Sequence, residues 1–220
     1  MKEMIKMKKN TRGEEIFGMV SHIIGAVFMV PILILCIIRG AIEYGAAGVL
    51  TGLAFSMTLM VLFIFSAIYH GLGRKKRGEE RMWAIDHCSV FLLIAAAWTP
   101  ISLIALMQKD PATAWVLFGV VWATSIAAII LNSIDRKKFA NLSMACYFGL
   151  LWCVILCLPN LMQILPPIGT VLLFLGGAFY TTSAMFFLLE KEFRHMHAYF
   201  HLLMLLGSIC NGFLVLLCIL

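Results

Sequence analysis

Three short patterns hold nearly all the chemistry open to this chain: Ser66-x-x-x-His70, Asp86-His87 and His197-x-x-x-His201, each set in apolar surroundings. His197 and His201 stand at i and i+4, so a helix presents both imidazoles on one face. That is the spacing by which a single helix supplies two zinc ligands. His70, from a different segment, completes a three-nitrogen set and leaves a fourth position for water, the composition of a catalytic zinc centre. Asp86 is the candidate to take a proton from that water or to hold it by a hydrogen bond. Ser66, one turn from His70, is the candidate to orient the water or donate to a developing oxyanion.

The elements that must position these groups are membrane spans. Hydrophobic residues make up 62% of the chain and charged residues only 13%, with a mean hydropathy of +0.98. No ordinary soluble domain has that balance. Apolar runs of about twenty residues recur, each long enough to cross a hydrocarbon layer of about 30 Å. They predict spans over 16–38, 46–72, 84–107, 112–133, 139–158, 166–189 and 197–219. Barrel strands would alternate apolar and polar residues, and these runs do not. The expected fold is all-α, a seven-transmembrane helix bundle. Residues 1–220 form one integral membrane domain, opened by a short basic tail over 1–15. The run from Ile16 to Ile38 is too long for the apolar core of a signal peptide and lacks an A-x-A site, so it reads as a retained first span.

Lys and Arg give the orientation. With the N-terminus inside, the inner side collects Lys2, Lys6, Lys8, Lys9, Arg12, Arg74, Lys75, Lys76, Arg77, Arg81, Arg136, Lys137, Lys138, Lys191 and Arg194. Only Arg39 and Lys109 fall on the other side. The positive-inside rule then places the N-terminus in the cytosol and Leu220 outside. The net charge of +6 is a topology signal and a contact for anionic lipid. No basic face with interleaved aromatics exists, so nucleic acid is excluded as a partner. At 1.5 Å of rise per residue, His70 lies roughly 6 Å from the inner loop, Ser66 roughly 12 Å, Asp86 roughly 8 Å, His197 and His201 roughly 5 and 10 Å, and His22 roughly 10 Å. All six histidines belong to the cytosolic half.

The remaining polar groups read more plainly. His22 either supports the metal ligands from behind or hydrogen-bonds to Ser or Asp across the bundle. His87 faces about 100° away from Asp86 and suits packing or the interface. His195 cannot share the ligand face of His197 and His201 and reads as a solvated loop histidine. Asp86 can also cap its helix, and Ser66 can also bond back to its own backbone. The seven cysteines at 36, 88, 146, 153, 157, 210 and 218 form no C-x-x-C pair and read as packing residues rather than a disulfide framework. Pro159, Pro166 and Pro167 bracket an expected outer turn. Gly45, Gly48 and Gly52 suit close helix packing.

These patterns, with Glu14-Glu15…His22 ahead of them, resemble those of the haemolysin III and progestin/adipoQ receptor (PAQR) superfamily, which is similar in turn to the alkaline ceramidases. The resemblance covers nearly the whole chain, and the short tails and compact loops look like its bacterial haemolysin III branch. It implies a zinc ion held by His70, His197 and His201, with Asp86 on the zinc-bound water and Ser66 beside it. In the first segment Gly18 and Ser21 stand where the family usually shows Asn and Thr, though Ser21 keeps a hydroxyl. The expected function is a zinc-dependent hydrolase of an amide or ester in a lipid-like substrate, in the bacterial plasma membrane. The alternatives are a non-enzymatic receptor or regulator of membrane lipid state with structural zinc, a pore-forming haemolysin, and a bis-histidine haem protein. One-helix H-x-x-x-H spacing suits haem poorly.

Overall fold

The computed structural model describes residues 11–72, 79–189, 192–193 and 195–220, with side chains described except at 79–87, 136 and 137. The first helix, α1, spans Arg12–Gly71. A capping box starts it: the Thr11 hydroxyl accepts from the Glu14 N–H at 3.3 Å, and the Thr11 N–H donates to Glu14 Oε2 at 2.6 Å. Two of the orphan donors of the first turn are satisfied in this way. A straight helix of 60 residues would run about 90 Å, three times the hydrocarbon thickness. This one doubles back at Gly45, whose φ of 58° and ψ of −137° belong to a region that favours glycine.

The two limbs of α1 then run side by side. A Cβ on Gly40 would lie 2.6 Å from the Gly48 carbonyl carbon, so the backbones touch where both residues lack side chains. Farther from the bend a Cβ on Gly25 would meet the Phe63 ring at 2.9 Å, and one on Gly18 would meet the His70 ring at 3.1 Å. Those contacts carry the hairpin register down to the end where α1 both begins and finishes. The connection expected over 39–45 thus shrinks to a single non-helical residue.

Helix α2 covers Glu79–Pro100 and continues through a π-helical turn, Ile101–Ala105, and a 3-10 turn, Leu106–Gln108. Pro100 removes one backbone donor from the last turn of α2, and the wider π-helical turn begins directly after it. Helix α3, Pro111–Trp152, is capped by Asp110 and breaks at Asp135, whose Oδ1 accepts from the Lys138 N–H at 3.1 Å and restarts the helix. Helix α4 spans Val154–Ile164, α5 Pro167–Leu189 and α6 Met196–Leu214, the last ending in a π-helical turn over Val215–Ile219. Pro159 lies inside α4 and not in the turn expected of it. Helices α3 and α4 join at Cys153, where the Leu156 N–H donates to the Cys153 carbonyl in a tighter turn.

Among the described residues there is no strand, and six helices are long and apolar enough to cross a membrane. The apolar window from Cys88 to Gln108 is 78% buried and that of α6 61%, whereas the other windows are only 22 to 33% buried. The last stretch of α2 and much of α6 therefore form the interior, and the rest shields them. Outer faces carry large exposed apolar side chains such as Val27, Ile42, Val116, Ile134 and Leu156, a distribution suited to lipid and not to water. Helix α6 packs against α5 and α1, and α2 packs between α1 and α3.

Polar groups gather at the two ends of the bundle. Near Gly45, Gln108 Nε2 donates to the Tyr44 hydroxyl at 3.2 Å, Lys109 Nζ pairs with Gln163, and Arg39 donates to the Leu216 carbonyl at 2.5 Å. The opposite end holds the histidines.

Candidate metal centre

Three chain segments meet at that end: the first turns of α1, its last turn, and the start of α6. The first limb supplies His22, the second supplies Ser66 and His70, and α6 supplies His197 and His201. All five side chains are buried, with His201 only 2% exposed. The i, i+4 spacing does what it predicts, since His201 Nε2 lies 2.9 Å from His197 Nε2. His22 Nε2 lies 2.8 Å from His201 Nδ1. The His70 ring stands edge-on to that of His201, with centroids 4.5 Å apart, and stacks nearly parallel to that of His22 at 5.7 Å.

A ligating nitrogen from each of His22, His70 and His201 lies within 4.8 Å of the other two, a spacing at which the three could hold a metal ion. Tetrahedral zinc with Zn–N bonds of 2.0–2.1 Å needs its ligand nitrogens about 3.3 Å apart. Between that bound of 4.8 Å and the zinc spacing lies at most about 1.5 Å, which side-chain rotation on both partners closes. His70 and His201 each also have a partner behind the ring, as metal-binding histidines ordinarily do: Glu15 for the first and His22 for the second. Glu15 Oε2 lies 2.9 Å from His70 Nδ1, with the His70 side chain fully buried and that of Glu15 12% exposed. That contact engages one nitrogen of His70 and leaves Nε2, also buried, on the side away from the carboxylate.

The walls are aromatic. Phe63 flanks His22 at 5.6 Å between centroids, Phe200 flanks His201 at 4.9 Å, and Tyr69 meets His70 edge-on at 4.9 Å. These rings line the sides of the imidazole group. Gly18 lies where any side chain would press on His70, so the absence of a Cβ lets that ring sit against the first limb. The Ser21 hydroxyl is committed locally, donating to the Gly18 carbonyl at 2.8 Å.

The sequence-derived residues are therefore distributed as follows. His70, His197 and His201 lie together, and Ser66 is buried one turn from His70. His22, expected at the margin, shares the metal-capable group with His70 and His201. Asp86 and His87 belong to α2, but their side chains lie outside the described residues. His195 is 55% exposed at its side chain and has a φ of 67°. Its N–H donates to Glu14 Oε1 at 3.0 Å, and its Nδ1 lies 3.3 Å from the same oxygen. Sequence reasoning gave no role to either carboxylate. Glu14-Glu15 ahead of His22 was visible as a pattern, but the partners stand at positions 70 and 195, which only the fold brings near.

The family model described as "Haemolysin-III related" matches residues 10–211. The chain is 34% identical over 203 residues to "Hemolysin-3" of Bacillus cereus, covering 92% of this chain and 90% of that protein. It is 31% identical over 204 residues to "Hemolysin-3 homolog" of Bacillus subtilis (strain 168), covering 92% and 93%.

Proposed function

This chain belongs to the haemolysin III-related family and is a multi-pass membrane protein, and we propose that it is a zinc-dependent hydrolase of an amide or ester in a lipid-like substrate. The observation that supports this most is the convergence of His22, His70, His197 and His201 from three chain segments into one buried group. In a membrane-spanning bundle such a group is costly unless it binds something. We assign the metal to His70, His197 and His201, with His22 behind His201. The alternative ligand set, His22 with His70 and His201, is favoured by the spacing of their nitrogens.

Bound zinc would acidify its water toward neutral pH and polarise a substrate carbonyl. The protein's own groups do the rest. Asp86, assigned from the sequence alone, accepts a proton from the attacking water and returns one to the leaving group. Ser66 donates to the oxygen on which negative charge develops. Phe63 and Phe200 flank the imidazoles with apolar surface, which lowers the local dielectric and strengthens these interactions. Each limb of α1 crosses the membrane, giving seven crossings with the N-terminus in the cytosol. The centre then lies just inside the cytosolic boundary of the plasma membrane, where acyl chains and water are both within reach.

A second reading has its own support: the four imidazoles tie both limbs of α1 to α6, so a metal there would also clamp the bundle. Metal-loaded protein in detergent, offered N-acyl and ester lipids, separates the two. The hydrolase reading expects turnover that disappears in Asp86→Asn while the metal stays bound. Loss of metal that lowers the melting temperature, with no lipid turned over by the wild type, overturns it in favour of the clamp.

A further inference from the structure

Glu14 and Glu15 are consecutive, and consecutive residues on a helix point about 100° apart. From one turn of α1 the two carboxylates consequently reach different elements. Glu15 reaches the second limb, at His70 Nδ1. Glu14 reaches the start of α6, at the N–H and Nδ1 of His195, two residues before His197. Glu14 is fixed in its turn by the capping box, where its other oxygen accepts from Thr11. We infer that Glu14 and Glu15 are the positioning residues of the histidine centre, one orienting the His70 ring and the other seating the helix that carries His197 and His201.

The inference rests on the metal reading and gives it a means of control. A carboxylate facing His70 Nδ1 keeps the proton on that nitrogen, because the reverse tautomer would set a lone pair against a negative charge. The Nε2 lone pair then lies on the side of the ring away from the carboxylate. Without Glu15 the ring would sample both tautomers and rotate about its side-chain bonds. Glu14 acts on α6 and not on a ligand directly, so its loss should loosen the first turn of that helix and weaken metal binding less.

Metal affinity and histidine nitrogen shifts test this together. In the metal-free protein, 15N spectra of labelled histidine should show His70 protonated at Nδ1, and Glu15→Ala should shift it toward the other tautomer. Glu15→Gln should weaken zinc affinity 10- to 100-fold in chelator competition, the range for partners behind a ligand, with unchanged melting of the metal-free protein. Glu14→Ala should cost a few-fold and speed amide exchange over 195–201. An unchanged His70 tautomer, or a Glu15→Gln variant that melts early but binds zinc as tightly as wild type, overturns the assignment. A wild type that binds no zinc overturns the metal reading instead, and the tautomer measurement still decides the role of Glu15.

Discussion

His22 Nε2 lies 2.8 Å from His201 Nδ1, joining the first limb of the bundle to its last helix across 179 positions. The other nitrogen of His201, Nε2, faces His197 at 2.9 Å. One imidazole is thus held from behind by a second and directed toward a third. That orientation is how metal-binding histidines are usually set, with one nitrogen anchored and the other presented.

The relationship separates ligand from support. His197→Ala removes a direct ligand in the assigned set and should abolish stoichiometric zinc binding. His22→Ala removes a partner of His201 and should weaken affinity by about 10- to 100-fold while leaving one zinc at saturation. Isothermal titration of both variants reads the difference. The reverse result, with zinc lost in His22→Ala and kept in His197→Ala, would transfer the ligand role to His22.

Gly18→Ala probes the packing beneath His70. The new methyl would lie 3.1 Å from the ring Cγ, and Glu15 holds the ring in place from Nδ1. The ring must therefore shift by a few tenths of an ångström against its anchor. Zinc affinity should fall about tenfold, the lower end of the effect of disturbed outer partners.

The apolar runs and the basic-residue asymmetry were enough to read a helical membrane protein, because lipid leaves few structures that satisfy the backbone. The i, i+4 histidines were legible for the same reason, being a local helical repeat. Three features were not. The hairpin at Gly45 keeps helix through 39–44 where a loop was expected, since glycine alone makes the reversal. Pro159 sits within α4 and not in the turn expected of it. The partners of Glu14 and Glu15 stand far along the chain, and no spacing rule relates positions 15 and 70 or 14 and 195. Asp86 remains a reading from sequence.

Gly48→Ala tests the hairpin. Its methyl would press on the Gly40 carbonyl, and a backbone cannot rotate aside as a side chain can. Forced separation of the limbs should cost about 1–3 kcal/mol, as overpacking does, read as a lower midpoint in detergent unfolding. Gly119→Ala, with nothing within 4 Å of the added carbon, should leave the midpoint unchanged or raise it slightly.

Asp110 gives a pH dependence at the far end of the bundle. Hydrogen bonds from the Thr113 hydroxyl and then from its N–H hold the Asp110 carboxyl below its ordinary range. A carboxylate favoured in the folded state stabilises above its unfolded pKa, and that contribution disappears as pH falls through the folded value. The melting difference between wild type and Asp110→Ala should hold from neutral pH to about 5 and narrow below about 4. A difference independent of pH would remove the charge from the cap.

The most direct measurement is the zinc-to-protein ratio of detergent-purified wild type beside His201→Ala, since His201 touches both His22 and His197. The account predicts about one zinc in the wild type, as a single tetrahedral centre requires, and essentially none in the variant. No metal in the wild type, or equal metal in both, would contradict it.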